Sequence, residues 1–256
     1  MPKNKRLSEI GRRMLLQAKT DMLTAEIAHV SLFPDQDVEA VRSAIRRLCG
    51  QPPHYLHLKP EPLDARRCYY RLTPRGAKQL GVSPKYATPL KRLGRVKRYA
   101  LAFFMHAQRP GERTYFNPRD FPEEFPLRGH RLPRHPFYLE RSGEKLRIGV
   151  ILVDHNAHIR RVVQKTLNPL GRFLRQGWFD SYIRNEQFVV AILTSTEYRK
   201  SEIRRHLVRA IQEHFGYPLL RLRPDLKDRL PLKLNVQIIP RLADVIAFEP
   251  LKEPDR

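Results

Sequence analysis

Between Asp37 and Gly76 the sequence changes its periodicity twice in forty residues, and this alternation limits what the chain can fold into more than any other feature. Val38, Val41, Ile45 and Leu48 stand three, four and three residues apart, so a helix puts them on one buried stripe. Asp37 is placed to cap that helix, and Gly50 followed by Pro52-Pro53 ends it. Two short β-rich runs follow, Tyr55-Leu56-His57-Leu58 and Cys68-Tyr69-Tyr70-Arg71-Leu72, around a charged turn from Lys59 to Arg67. They predict a hairpin. Thr73-Pro74 then predicts a new helix with proline in its first turn, continuing to Gly81.

Two helices are expected before this block. One starts near Ser8 and presents Ile10, Met14 and Leu15 on one face; the other is capped by Thr24 and stopped by Pro34. Beyond it, residues 85–98 contain Lys85, Lys91, Arg92, Arg95, Lys97 and Arg98 with no acid, and lead into the apolar Tyr99–Met105. One helix bridging the two halves is expected there. Residues 109–136, rich in proline, arginine and aromatics, predict a loop or domain junction. The remainder predicts strands over 137–141 and 145–153, a helix over about 157–176 kinked or divided at Pro169, a strand over 187–193, a helix over 197–215 and a last strand over 235–239. Ile203, Leu207, Ile211 and Phe215 give the second long helix one apolar face.

The 49 lysines and arginines outnumber the 26 acids, giving a net charge of +23. Such a surplus repels itself unless a polyanion is near, so nucleic acid is the expected partner. Hydrophobic residues at 41% suffice for a packed core. No stretch approaches the about 20 apolar residues of a membrane span. The basic start Met1-Pro2-Lys3-Asn4-Lys5-Arg6 leads into an amphipathic segment and is not expected to be a secretory signal. Cys49 and Cys68 cannot form a disulfide framework or a zinc site by themselves; they suit reduced thiols in a cytoplasmic protein.

The order helix, helix, helix, hairpin, then Tyr70-Arg71-Leu72-Thr73-Pro74-Arg75-Gly76, resembles the winged helix-turn-helix over residues 8–81. With the stripe inward, Gln36, Glu39, Arg42, Ser43, Arg46 and Arg47 face outward on the third helix. Arginines so placed can bridge O6 and N7 of guanine in a major groove about 12 Å wide. Lys59, Arg66 and Arg67 on the hairpin turn are candidate phosphate contacts, and Lys91, Arg92 and Arg95 extend the candidate DNA-binding set.

Winged helix plus a later hairpin–helix–strand–helix order resembles the replication-relaxation family of plasmids and integrative elements. That resemblance implies an α+β protein: a winged helix over 1–82, a connecting helix over 83–108, and a mixed α/β sheet domain over 109–256 of restriction-endonuclease-like type. The implied nuclease site is degenerate here. Its first acid falls at His135-Pro136-Phe137, and Leu152 stands where the second belongs, leaving Asp154 with Glu140 and Glu144 nearby. Two carboxylates are needed to hold a catalytic divalent metal, so no catalytic residue, metal or cofactor is expected. His155 and His158 would share a face if helical, but Asp154 and Asn156 are more simply helix caps. No GxxxxGK[ST] or GxGxxG loop occurs. The expectation is a site-specific DNA-binding protein acting in transcription, replication or transfer control of a mobile element. Its partners would be double-stranded DNA and a second copy of the chain, with no membrane. A metal-dependent DNA nuclease and a winged-helix RNA- or protein-binding module are the alternatives.

Overall fold

The side chains that start each helix in the first third do so by direct hydrogen bonds. A computed structural model describes residues 7–20, 22–52, 54–107, 113–116, 136–142, 145–222 and 232–249. Helix α1 (Glu9–Thr20) buries Met14, Leu15 and Ala18, and Ser8 Oγ accepts from the Gly11 amide at 3.1 Å. Thr24 Oγ1 accepts from the Ile27 amide to start α2 (Ala25–Leu32), and the Asp37 carboxylate accepts from the Glu39 amide to start α3 (Val38–Cys49). On α3, Val41 and Ile45 are fully buried while Val38 and Leu48 are half-buried, and Gly50 ends the helix at φ 71°.

Strands β1 (Leu58–Pro62) and β2 (Cys68–Leu72) pair antiparallel from Leu58–Leu72 at the base to Pro62–Cys68 at the tip. The Tyr70 amide donates to the Leu23 carbonyl at 2.8 Å, tying the hairpin to the α1–α2 link. Thr73 caps α4 (Pro74–Gln79). The helix expected across 85–105 is instead two pieces. A 3₁₀ turn covers Pro84–Ala87, and α5 (Arg92–Ala102) starts only after Pro89, continuing as a π turn over Phe103–Ala107. Proline disfavours helical backbone in the residue before it, and that stops the first piece.

Strand β3 (Arg113–Phe116) lies inside the stretch expected to be loop. It edges a mixed sheet of order β3-β4-β5-β6-β7, with β4 (Phe137–Ser142), β5 (Lys145–Val153), β6 (Phe188–Thr194) and β7 (Lys233–Ile238). β3, β4 and β5 pair antiparallel; β5, β6 and β7 pair parallel, in register Val150–Val190 and Val190–Leu234. Two crossovers make the parallel part: α6 (Ile159–Gln176) with α7 (Asp180–Arg184), and α8 (Glu197–Leu222). α6 and α8 pack together over Ile148, Val150, Phe188, Val190 and Ile192, joined by Phe137, Phe173 and Phe179. Phe179 and Phe188 lie 4.7 Å apart by ring centroid. The α8 stripe of Ile203, Leu207 and Ile211 is fully buried, each side chain stabilising by about 1.5–3 kcal/mol. Pro169 does not divide α6; it lies buried within one continuous helix and removes a single backbone donor.

The last helix among the described residues is α9 (Leu242–Ala247), packed on α5. Two compact units result: residues 1–110 with 242–256, and residues 111–241. The segment 83–108 and the C-terminal segment thus cluster with the first unit, whereas the sequence suggested a separate connecting helix and a domain over 109–256.

Candidate nucleic-acid interface

Helix α3 presents its cations in a held arrangement. Glu39 accepts from Arg42 at 3.2 Å and from Arg46 at 3.1 Å, so one carboxylate in the first turn braces two arginines on the outer face. Glu26 of α2 lies 3.6 Å from Arg42, and these acids hold the guanidinium pKa of Arg42 above its ordinary value, the Glu39 hydrogen bond contributing most. Arg47 is exposed and its guanidinium pairs with no described residue; Gln36 is exposed in the turn before α3, and Ser43 is half-buried. The face carries three arginines against Glu39 and remains net positive.

Along the hairpin the candidates separate: Arg66 and Arg67 lie at the tip, whereas Lys59 stands in β1 beside the base, paired with Arg71, and not on the turn the sequence suggested. Arg66 is exposed and points no charge at a partner, while Lys59 Nζ sits 3.7 Å from Glu61 and 5.8 Å over the Tyr55 ring. Arg67 is committed inward. Its Nε donates to Asp64 at 2.6 Å, its Nη1 donates to the Tyr99 hydroxyl at 2.8 Å, and its guanidinium lies 5.1 Å from the Tyr99 ring centre. Arg67 therefore anchors the tip to α5 and is not a free phosphate contact.

Burial pushes the Asp64 carboxyl up, but hydrogen bonds from the Arg67 side chain and the Arg66 and Arg67 amides outweigh it and hold it below the usual range. A carboxyl lowered in the folded state stabilises fully above its ordinary pKa of about 4, and that stability is lost as pH falls through the lowered value. In an NMR titration the Arg66 and Arg67 amide protons should shift with a midpoint below about 4. A midpoint at the ordinary value would mean that Asp64 does not organise the tip.

The 85–98 run also divides. Lys91 is exposed at the start of α5. Arg92 is partly engaged, pairing with Glu249 and donating to the Ile246 carbonyl at 2.8 Å. Arg95 is 3% exposed, donates to the Phe248 carbonyl at 2.9 Å and stacks 5.1 Å from the Phe248 ring centre. Burial lowers its pKa, and the neighbouring Arg92 lowers it further. Arg95 is a packing cation under the C-terminal segment, unavailable to a phosphate.

In the second unit Asp154 directly follows β5 and is 2% exposed. Oδ1 accepts from the Asn156 amide at 3.0 Å and Arg199 Nη2 at 2.8 Å; Oδ2 accepts from Thr194 Oγ1 at 3.0 Å and Arg199 Nε at 2.9 Å. All four lone-pair directions of the carboxylate are used. Leu152, where the sequence resemblance would place a second acid, lies in the core beneath α6 and α8. Glu140 is equally engaged, accepting from Arg113 at 2.8 Å with Arg147 at 3.4 Å; Glu144 lies outside the described residues. His155 and His158 precede α6 rather than sharing a helical face, and His158 Nδ1 accepts from the Arg160 amide as the helix cap.

Sequence reasoning overlooked a second basic surface, formed where α6 and α8 lie side by side. From His155 to Phe179 the sequence contains no acid, and that signal was available. No helix among the described residues is long and apolar enough to cross a membrane. Comparisons with protein families, curated proteins and solved structures find no match to this chain.

Proposed function

We propose that this chain is a two-unit DNA-binding protein whose first unit works as a winged helix-turn-helix. In this reading α3 enters the major groove and β1–β2 is the wing. The observation that carries it is the cationic outer face of α3, where Arg47 pairs with no described residue and Arg42 and Arg46 are braced by Glu39, beside a hairpin that exposes Arg66 and leaves Lys59 half-buried. An arginine already ordered by a neighbouring carboxylate loses less rotamer freedom when it meets a base edge, and exchanging Glu39 for guanine keeps its charge satisfied. Control of transcription, replication or transfer in a mobile element is the setting we propose, on the sequence resemblance. The second unit, in the same reading, keeps a nuclease-like architecture whose remaining carboxylate, Asp154, serves packing.

Affinity for duplex DNA should fall steeply with salt, by about −0.9 in log K per log salt for each phosphate neutralised. Measured by fluorescence anisotropy, Arg47→Ala and Arg66→Ala should each lower that slope by about 1. Arg42→Ala or Arg46→Ala should cost about 1–3 kcal/mol on a selected site and relax its sequence preference. Salt-independent affinity, or equal loss on every sequence for all four variants, would overturn the assignment of α3 as the reading helix.

A further inference from the structure

The outer faces of α6 and α8 enclose an open groove of about 1080 Å³ in the second unit. Its floor is apolar, built from Val163, Leu167 and Gly171 of α6 and from Ala210 and Phe215 of α8. Its α6 rim is cationic, with Arg160, Arg172 and Arg175, while on the α8 side Arg209 is neutralised by Glu213. The guanidinium groups of Arg160, Arg172 and Arg175 pair with no described residue, and the acid in the lining, Glu213, is bound to Arg209 at 2.7 Å. Gly171 keeps the floor close-packed, since a Cβ there would stand 3.1 Å from the Phe215 ring.

This arrangement is unfavourable for α6 alone. Arg160 and Arg161 occupy its first turn, where the helix dipole favours acids, and Arg172 and Arg175 are like charges three residues apart. An external anion removes both penalties.

We propose that the groove receives an acidic amphipathic helix of a partner protein. Apolar anchors three and four residues apart would fill the floor, and flanking carboxylates would meet the arginine rim of α6. Arg160 and Arg175 are about 22 Å apart along α6, room for about four turns of partner helix. The apolar floor separates this occupant from nucleic acid. Phosphates would satisfy the arginines but leave Val163, Leu167 and Ala210 unburied. A second copy of the chain is disfavoured by charge, because a symmetric dimer across this face sets the arginine rims against each other.

The test uses the whole protein and a fluorescein-labelled helical peptide of about 16 residues, leucine on one face and glutamate on the flanks. It should bind, and the double variant Arg172→Glu/Arg175→Glu should weaken it by about tenfold or more at unchanged melting temperature and unchanged duplex affinity. A peptide with the same glutamates and serine in place of leucine should bind about tenfold less well. Equal binding of the serine peptide overturns the proposal in favour of a diffuse basic surface. Displacement of the peptide by a single-stranded oligonucleotide or a duplex, itself weakened by the double variant, makes the groove a nucleic-acid site. Sedimentation showing a dimer that the double variant dissociates assigns the face to a second copy. Because the readout is peptide binding, failure here leaves the DNA reading of the first unit untouched.

Discussion

Asp154→Ala should destabilise the second unit by about 3–5 kcal/mol, the range for removing one partner of a buried ion pair. The loss has a specific source. Arg199, 14% exposed at its side chain, would keep its bond to the Ala157 carbonyl at 2.6 Å but lose both contacts to the carboxylate, leaving a charge with little water to replace them. Thr194 Oγ1 and the Asn156 amide would lose their acceptor as well. Because Asp154, Thr194 and Arg199 join the ends of β5 and β6 to the first turn of α8, the damage falls on the crossover that sets the parallel strands. Calorimetry should show one transition moving down by roughly 10 °C while the other stays, as expected for separate compact units. Asp154→Asn should lose less, since it keeps the shape and one acceptor. The same variant discriminates against catalysis. A protein that melts normally without Asp154 but loses Mn²⁺-dependent cleavage of plasmid would mean that the carboxylate serves chemistry.

Gly76→Ala should cost about 3 kcal/mol, at the upper end of ordinary single substitutions. An added Cβ would stand 2.1 Å from the His57 carbonyl oxygen, inside any allowed contact. That oxygen cannot retreat freely, because it accepts from the Thr73 amide at 3.0 Å. Thr73 Oγ1 donates to the Leu56 carbonyl at 2.6 Å and accepts from the Gly76 amide at 3.0 Å. The Thr-Pro-Arg-Gly turn is thus locked onto the residues that lead into β1, and a methyl group pries them apart. Hairpin, α4 and duplex binding should weaken together. Gly81→Ala is the control: its φ is +65° but nothing lies within 4 Å of an added Cβ, so only the backbone penalty of about 1 kcal/mol remains. Equal melting temperatures for the two variants would refute the clash.

The elements legible in the sequence are those whose cause is local. Helix α3 follows from the spacing of Val38, Val41, Ile45 and Leu48 with Asp37 before it and Gly50 after it, and every one of those residues acts within its own turn. Thr24 and Thr73 cap for the same reason, and the β-rich run Cys68–Leu72 is strand β2 as expected. β1, however, runs over Leu58–Pro62 and not Tyr55–Leu58, because pairing with β2 rather than its own alternation makes Lys59–Pro62 strand where a turn was expected. Strand β3 was not legible. Four residues between proline-rich flanks carry too short a pattern, and the pairing of Arg113 with Glu140 across 27 positions is what makes them a strand. α9 was missed because six residues give too little periodicity to mark a helix.

The candidate interface shows the same boundary. The sequence by itself determined that the chain carries +23, that Arg42, Arg46 and Arg47 leave α3 on the side away from its apolar stripe, and that acids are missing from 155 to 179. Which cations are free was decided by tertiary structure. Arg66 and Arg67 are neighbours of one type, yet Tyr99, 32 residues on, takes Arg67 and leaves Arg66 in solvent. Arg95 lies in the most basic run of the first unit and is buried because Phe248, 153 residues away, returns to cover it. Asp154 became a packing carboxylate when the β6–α8 turn brought Arg199 and Thr194 to it. A charge is fixed by residue type, but its availability depends on which distant groups desolvate and pair it, and only the closed fold sets those distances.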